Sequence, residues 1–289
     1  MNAQRVALVT DSCADIPANL IKKYDIHVIP LRLLFSDGEY EDGVSITAKE
    51  VYRRLPVEIP KTSLPSGARI EETFQSIRRK GYEKAIAINF SGGLSGTANM
   101  GRLLGEQCVG LEVAAFDTLS GSLGTGMTVL QAARWLDEGC TFTEVCRWIP
   151  EIMHSTTVFF CIDTLEYLQK GGRIGLITSF AGSLLNIKPI ISFAPSGELV
   201  NVAKVRGRRL AIQKMIDMAA ALIPDGAAFN LAVAHGDSPG EFKEIRTLTK
   251  KTMPGFRTLF EGEIDGTLGV YTGPHLLGVG VQLLPEHLV

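Results

Sequence analysis

The feature that most constrains the fold is the alternation of short apolar runs with helical segments in the first half of the chain. Four runs have the length and composition of buried strands, and they are well separated: Val6–Thr10, His27–Leu34, Ala85–Asn89 and Leu111–Phe116. Such alternation is typical of an α/β fold with a mostly parallel, doubly wound sheet. In these sheets ligands bind beyond the carboxyl ends of the strands, so we expect a site at that edge.

Hydroxyl residues mark the expected starts of the helices between these strands. Thr47 and Glu50 form a capping box, and Ser66 can cap the helix that follows it. Ser95 or Thr97 can cap the next helix. Each of these signals falls between two predicted strands, which agrees with the βαβ alternation.

The second half of the chain predicts a mixed sheet. Pro195–Glu198 lies between two apolar runs and has the composition of a hairpin turn, so the strands beside it should be antiparallel. Helices are expected over Arg208–Leu222 and Pro239–Lys251, the second with a capping box and Pro at its first position. The strand candidates are Val158–Cys161, Pro189–Phe193, Leu199–Ala203, Leu231–Ala234, Thr258–Glu261 and Leu268–Tyr271.

Chain length favours two domains, because 289 residues exceed the usual size of a single core. We predict a parallel α/β N-terminal domain over residues 1–165 and a mixed or antiparallel α/β C-terminal domain over residues 166–289. No low-complexity linker separates them, so the two domains are expected to pack closely.

Composition argues against several classes of protein. A net charge of −2 and a pI near 6.2 give no attraction for nucleic acid, and at most a transient contact with a membrane is expected. The absence of a signal-type or membrane-spanning apolar stretch favours a cytoplasmic protein. Five cysteines without a C-x-x-C pair favour neither disulfides nor structural zinc. Asp11 and Asp163 follow strands but belong to no ligand cluster, so no metal site is expected.

Two hydroxyl-rich segments are the main candidates for a binding site: the threonine loop, Thr62–Ser66, and the serine loop, Ser91–Thr97. Both combine small residues, which let the backbone approach a ligand, with hydroxyls that donate hydrogen bonds. Each precedes a helical segment whose first N–H groups lack partners and can bind an anion. Neither loop contains a charged side chain or a His. Their composition therefore favours holding a small anion over attacking a substrate.

Ser95 also allows a hydrolase interpretation, although its surroundings differ from the nucleophile elbow G-x-S-x-G. Thr97 stands where the second glycine belongs, and the sequence does not show which His would act as the base. A helix N-cap without any further role is a third interpretation of Ser95. Nucleotide loops are missing, because residues 121–126 do not complete a dinucleotide fingerprint and no Gly-Lys-Ser/Thr triplet occurs. Close packing of a helix against the sheet is favoured for the glycines of residues 121–126.

The densest basic run covers residues 204–209 and has two interpretations. Such a run is usually a solvated face. Its other use is to meet a carboxylate or a phosphate, for which Arg offers a planar fork of donors.

Ordered motifs along the whole chain resemble those of the DegV family, bacterial fatty-acid-binding proteins that serve as the acyl-carrying subunit of fatty acid kinase. The resemblance implies a two-domain DegV-like α/β fold. The motifs that carry it are Val9–Ser12, Thr62–Ser66, Leu94–Thr97, Asp117-Thr118, Asp163–Ile174, Lys204–Arg208, His235–Asp237 and Thr272–Pro274.

The resemblance also implies the residues of a head-group site. Thr62 and Ser95 would hydrogen-bond the carboxylate of a long-chain fatty acid, such as a C16 or C18 acid. Ser63 and the backbone N–H groups of Gly96 and Thr97 would lie nearby. The acyl chain would enter an apolar tunnel between the layers of the fold, which the C-terminal domain helps to enclose.

A partner kinase follows from the same resemblance. This kinase, related to dihydroxyacetone kinases, would phosphorylate the carboxylate to an acyl phosphate for phospholipid metabolism. Arg206 would lie near the head group or on the docking surface. The chain would then be a non-catalytic lipid-binding subunit with no cofactor besides its fatty-acid ligand. A hydrolase that uses the Ser95 loop and a lipid-responsive regulatory sensor are the alternatives.

The chain departs from the family pattern at three positions. Leu64 stands where the family commonly carries Gln. The family sequence His-Thr-Gly-Pro-Gly appears here with Tyr271 in place of the His and His275 in place of the last Gly. Tyr can donate a hydrogen bond to a carboxylate, but it carries no positive charge near neutral pH. We therefore expect Tyr271 to contact the head group and to alter its geometry.

Overall fold

The structure is a computed structural model that describes residues 2, 4–177 and 186–288. Its strands are β1 (Val6–Asp11), β2 (Ile26–Ile29), β3 (Arg32–Phe35), β4 (Gly38–Glu41), β5 (Lys61–Ser63), β6 (Lys84–Asn89), β7 (Glu112–Asp117), β8 (Thr156–Cys161), β9 (Ile187–Phe193), β10 (Leu199–Arg206), β11 (Ala228–Gly236), β12 (Leu259–Glu263) and β13 (Leu276–Leu284). Its helices are α1 (Ala18–Tyr24), α2 (Ala48–Arg54), α3 (Gly67–Arg79), α4 (Thr97–Glu106), α5 (Leu123–Asp137), α6 (Phe142–His154), α7 (Glu166–Lys170), α8 (Arg208–Ala220), α9 (Pro239–Thr252) and α10 (Gly266–Thr272).

The predicted parallel sheet is confirmed. Its four strands run in the order β2-β1-β6-β7, and every neighbouring pair is parallel. Helices α3 and α4 cover one face, while α5 and α6 cover the other, so the sheet is doubly wound. The strand order reverses between β1 and β6, and the serine loop begins just beyond the carboxyl end of β6.

The segment His27–Leu34, predicted as one strand, is divided into β2 and β3. Pro30 separates them, because proline has no backbone N–H with which to continue a strand ladder. β3 pairs instead with β4 and β5 in a small antiparallel sheet. In this sheet Leu33 lies opposite Thr62, which fixes the start of the threonine loop.

The mixed sheet of the second half is also confirmed. Its strands run in the order β10-β9-β8-β13-β11-β12; β11 and β12 are parallel, and the other pairs are antiparallel. The predicted hairpin turn connects β9 to β10. Gly197 in this turn has a φ of +79°, a left-handed conformation that glycine adopts without side-chain strain.

One prediction in the second half is wrong, and one strand was missed. Leu268–Tyr271 belongs to helix α10 and not to a strand, because carboxylates cap this segment: Asp265 accepts a hydrogen bond from the Leu268 N–H at 2.9 Å. The prediction also missed β13, which lies between β8 and β11 and is buried on both faces. A strand buried on both faces lacks the alternation of apolar and polar residues that identifies a half-buried one.

The capping predictions are confirmed in part. Thr47 and Ser66 accept hydrogen bonds from the third helical N–H of α2 and α3. Neither Ser95 nor Thr97 is the N-cap of α4, because Gly96 occupies that position. Ser238 begins α9 without a side-chain bond to the backbone of that helix.

Helix α5 joins the two large sheets. Its buried residues cover all sides of the helix, and it packs against β1 and β6 on one side and against β8 and β13 on the other. A methyl group at Gly126 would lie 2.4 Å from the Ala14 carbonyl oxygen and 3.1 Å from the Phe260 ring of β12, so this glycine permits close packing of the helix against the six-stranded sheet. The domain boundary at residue 165 stays a prediction; β8 precedes it and belongs to the six-stranded sheet.

Candidate functional site

A cavity of about 200 Å³ lies between the parallel sheet and the six-stranded sheet. Its walls are predominantly apolar, with side chains from both halves of the chain. The apolar lining residues are Leu31, Leu64, Phe90, Leu94, Phe160, Leu168, Ile191, Phe193, Leu199, Ile264, Leu268 and Leu276. A cavity of this composition favours an apolar ligand.

The two hydroxyl-rich loops meet at this cavity. Thr62 and Ser63 of the threonine loop and Ser95 and Gly96 of the serine loop all belong to its lining. A methyl group at Gly96 would touch the Leu64 side chain at 3.7 Å, so the loops lie side by side. The structure thus brings together two segments that are about thirty residues apart in sequence.

Two hydrogen-bonded hydroxyl pairs provide the donors of the site. The hydroxyls of Thr62 and Tyr271 form one pair, and those of Ser95 and Thr97 form the other at 2.9 Å. Within each pair one hydroxyl donates to the other, which leaves the O–H of the accepting oxygen free; when Thr97 donates to Ser95, the free O–H is that of Ser95 in the lining and can donate to a ligand. Two donors match the two oxygens of a carboxylate.

The neighbouring groups hold the donors in place. The Arg32 guanidinium donates to the Ser63 hydroxyl at 3.0 Å and to the Leu64 carbonyl oxygen at 2.9 Å, and so supports the threonine loop. The Thr97 backbone N–H donates to the Ser95 hydroxyl at 3.3 Å. The first turn of α4 therefore begins beside Ser95, where its positive end favours an anion.

Tyr271 reaches the cavity because buried carboxylates anchor the start of α10. Asp42 accepts hydrogen bonds from the backbone of Gly266 at 3.2 Å and from that of Thr267 at 2.8 Å. Asp15 accepts one from the backbone of Asp265 at 2.8 Å. Burial raises the pKa of Asp15 to about 7, and burial with the charges of Asp42 and Asp15 raises the pKa of Asp265 well above its usual range.

Arg173 also lines the cavity, and the sequence predictions did not select it. Its guanidinium carbon lies 5.2 Å from the centre of the Tyr271 ring, and it donates a hydrogen bond to the Gly171 carbonyl oxygen at 3.1 Å. It is the only charged side chain among the described lining residues. Its place in the Asp163–Ile174 motif was the signal that could have identified it.

Two residues predicted for the site do not belong to its lining. Thr97 is buried and touches the site only through Ser95. Arg206 is exposed at the end of β10, where it lies opposite Ile187. Their roles in ligand binding stay predictions.

The lining lacks the groups that a serine hydrolase needs. None of the five His residues, all of which lie in the described ranges, and no described Asp or Glu contributes to it. Among the residues that the structure describes, Ser95 therefore has no general base beside it within the cavity. Within the described residues, no group of three or more His, Cys, Asp or Glu side chains is arranged to hold a metal ion.

Comparison with known proteins places the chain in a family. Residues 5–283 match the family described as "Uncharacterised protein, DegV family", and the chain belongs to this family. It is 36% identical to a DegV domain-containing protein of Clostridium acetobutylicum over 276 residues, which cover 96% of this chain and 98% of the relative.

Solved structures resemble the chain over nearly its whole length. One is a DegV family protein from Thermus thermophilus that is described as binding fatty acid. It superimposes with a TM-score of 0.89 at 26% identity, and the match covers 98% of this chain and 100% of the relative. A stearic-acid-binding protein from Eubacterium ventriosum gives a TM-score of 0.88 at 26% identity, with coverages of 96% and 98%. These similarities confirm the α/β fold with a parallel sheet and a mixed C-terminal sheet.

His275, where the resemblance to the family implies a glycine, has a strained backbone conformation. His275 has a φ of +64°, a left-handed conformation that a glycine would adopt freely. Its carbonyl oxygen accepts a hydrogen bond from Arg208 at 2.6 Å, which helps to hold this conformation.

No helix within the described ranges has the length and apolar character needed to cross a bilayer.

Proposed function

We propose that this protein binds a long-chain fatty acid, with its carboxylate at the two hydroxyl pairs and its tail in the apolar cavity. The observation that carries the proposal is the pairing of two available O–H donors with a predominantly apolar cavity. Thr62 and Ser95 each stand in the cavity lining and supply or share these donors. Tyr271 pairs with Thr62 within the lining, and Thr97 orients Ser95 from behind it.

The free energy of burying the acyl tail supports separate roles for the tail and the carboxylate. Burial of about fourteen methylenes at ~0.8 kcal/mol each offers on the order of 10 kcal/mol before ordering costs, so the tail can provide most of the affinity. Hydrogen bonds to the carboxylate then need only to fix its position. The names of the relatives from Thermus thermophilus and Eubacterium ventriosum support the same class of ligand.

The proposal includes a role for the bound acid. The protein presents the carboxylate to a kinase related to dihydroxyacetone kinases, which forms an acyl phosphate with ATP. The missing nucleotide loops of the sequence, and a cavity lining whose described residues include no base beside Ser95, support a non-catalytic subunit. Arg206, exposed at the end of β10, is available to such a partner.

Lipid extraction tests the ligand. Protein purified under mild conditions is extracted with organic solvent, and mass spectrometry of the extract is expected to show a C16 or C18 acid. The delipidated protein is then titrated with palmitate. Empty protein that also fails to bind added long-chain acid contradicts the proposal.

A double variant tests the head-group site. Thr62→Ala with Ser95→Ala removes the lining donor of each pair, and palmitate affinity should fall about a hundredfold, or about 3 kcal/mol. Thr247→Ala is the matched control, since its exposed hydroxyl donates only to the Lys243 carbonyl oxygen on α9. Equal affinities of the double variant and the control contradict the assigned roles.

The kinase step is tested with a purified fatty acid kinase, ATP and the palmitate-loaded protein. Hydroxylamine traps acyl phosphate as a hydroxamate, which should form only when all three components are present. Hydrolysis of simple esters by the protein alone, abolished by Ser95→Ala, would instead favour the hydrolase interpretation.

A further inference from the structure

Ser91 has an unusual set of contacts for a residue outside the cavity lining. It is completely buried, and its carbonyl oxygen accepts hydrogen bonds from the backbone N–H groups of Leu94 at 3.1 Å and Ser95 at 3.2 Å. Its own N–H donates to the Ser120 carbonyl oxygen at 2.7 Å. Ser91 therefore determines the course of the backbone that carries the Ser95 hydroxyl.

The side chain of Ser91 connects the serine loop to the other half of the molecule. Its hydroxyl donates to the Gly197 carbonyl oxygen at 2.6 Å and accepts from the Gly93 N–H at 3.0 Å. Gly197 lies in the hairpin turn between β9 and β10 of the six-stranded sheet. A single buried hydroxyl thus joins this turn to the loop of the parallel sheet.

The approach of the two backbones requires glycine on both sides. A methyl group at Gly93 would lie 2.7 Å from the Gly197 carbonyl carbon and 2.8 Å from the Ser196 carbonyl oxygen. A methyl group at Gly197 would lie 2.2 Å from the Ser91 hydroxyl oxygen. The turn therefore serves as a close-fitting support for the serine loop.

The strands that enter and leave this turn form part of the cavity wall. Phe193 at the end of β9 and Leu199 at the start of β10 both line the cavity. The turn also keeps its own shape, because the Ala194 N–H donates to the Glu198 carbonyl oxygen at 2.8 Å. The wall around the acyl chain and the support of the head-group donor are thus one continuous element.

We propose that Ser91 is a positioning residue, which holds the Ser95 hydroxyl at the head-group site by anchoring the serine loop to the β9–β10 turn. This inference rests on the proposed fatty-acid binding. Ser91 is fully buried and lies outside the lining, so it acts on the ligand through Ser95 and not by direct contact. Loss of its hydroxyl would leave the Gly197 carbonyl and the Gly93 N–H without a partner.

A double-mutant cycle with palmitate tests this role. Ser91→Ala should lower the affinity about tenfold. If Ser91 acts through Ser95, Ser91→Ala combined with Ser95→Ala should bind within about twofold of Ser95→Ala alone. Ser196→Ala is the control at the same turn, because its exposed hydroxyl pairs only with Glu198, and it should bind as the wild type does.

Every outcome of the cycle decides the proposal. The proposal is overturned if Ser91→Ala binds palmitate with wild-type affinity. It is also overturned if the fold-losses in affinity of the two single variants multiply in the double variant, because a residue with a purely structural role would weaken binding independently of Ser95. Ser91→Cys, which has a slightly larger side chain and keeps a weak donor, takes the place of Ser91→Ala if that variant does not fold. If the wild type itself fails to bind palmitate, the proposed function is overturned. This result differs from independent losses of affinity in variants of a protein that does bind, which would overturn only the role of Ser91.

Discussion

The serine loop and the threonine loop supply similar donors but are held in place differently. The serine loop is fixed by short-range backbone bonds to Ser91 and by one close contact with a turn. The threonine loop depends on Arg32 and on Tyr271, which is 209 residues from Thr62. The first donor is therefore placed by backbone bonds within its own segment together with the anchor of that segment to the β9–β10 turn, whereas the second has no such local bonds and depends on residues 31 and 209 positions away.

The largest expected effect concerns the close contact of the serine loop. Gly93→Ala places a methyl group against backbone atoms of the β9–β10 turn, which cannot move aside cheaply, and we expect a loss of about 3 kcal/mol in the free energy of unfolding. Urea denaturation measures it. Gly240→Ala is the control, because a methyl group there meets no atom within 4 Å and alanine favours the helix. Equal stability of the two variants would contradict the contact.

A second effect concerns the remote support of Tyr271. Asp15 has an ordinary pKa of 3.8 and a pKa of about 7 in the folded protein, because it is buried. The folded state therefore binds more protons between these values, and the free energy of unfolding should fall as pH rises from about 4 to about 7. Burial also raises the pKa of Asp11 to about 6, so Asp11 further lowers the free energy of unfolding as pH rises.

Asp15→Asn isolates the contribution of Asp15. The amide oxygen can still accept from the Asp265 N–H, while no charge develops as pH rises. The stability of the variant relative to the wild type should increase by about 2 kcal/mol between about pH 5 and pH 8, as measured by urea denaturation at each pH. Parallel pH profiles for the two proteins would refute this assignment.

Arg32→Ala should weaken the threonine loop without affecting the serine loop. Ser63 and the Leu64 carbonyl lose their donors, and palmitate affinity should fall about fivefold, or about 1 kcal/mol. Arg53→Ala is the matched control, since Arg53 bonds only to Glu50 on an exposed helix face. If both variants bind palmitate equally, Arg32 does not support the site.

The smallest expected effect concerns Tyr271. Tyr271→Phe removes the hydroxyl that pairs with Thr62, and palmitate affinity should fall about threefold. Tyr271→His should instead make binding stronger below about pH 6.5, where the imidazole carries a positive charge. Isothermal titrations at several pH values would detect this, and a pH dependence identical to that of the wild type would contradict a place for Tyr271 beside the carboxylate.

Local sequence patterns predicted much of the fold and both loops. Strands β1, β6 and β7 have compact apolar runs, and Pro195–Glu198 has turn residues that require no knowledge of distant neighbours. The same short-range character made the serine loop recognisable. Features determined within about ten residues were accessible from sequence alone.

Features assembled from distant residues were not accessible in this way. Helix α10 forms where a strand was predicted: its Asp265 cap is local, but the bonds from its first N–H groups to Asp42, 224 residues away from Gly266, depend on packing. The pairing of Thr62 with Tyr271 likewise depends on packing. Hydrophobic periodicity gave no indication of Tyr271 as a site residue, and only the resemblance to a family suggested it. The Asp163–Ile174 motif contains Arg173, but only the packed structure places its guanidinium over the Tyr271 ring.

The all-round burial of α5 has a consequence for how the molecule unfolds. A helix with no solvent-facing side must lose apolar contacts whenever either large sheet detaches from it. Its thirteen buried residues, among them Leu123, Val129 and Trp135, therefore link the folding of the two halves into one cooperative transition. A fragment that ends at residue 165 would contain α5 without the central strand β13 beside it, and we expect such a fragment to aggregate instead of folding alone.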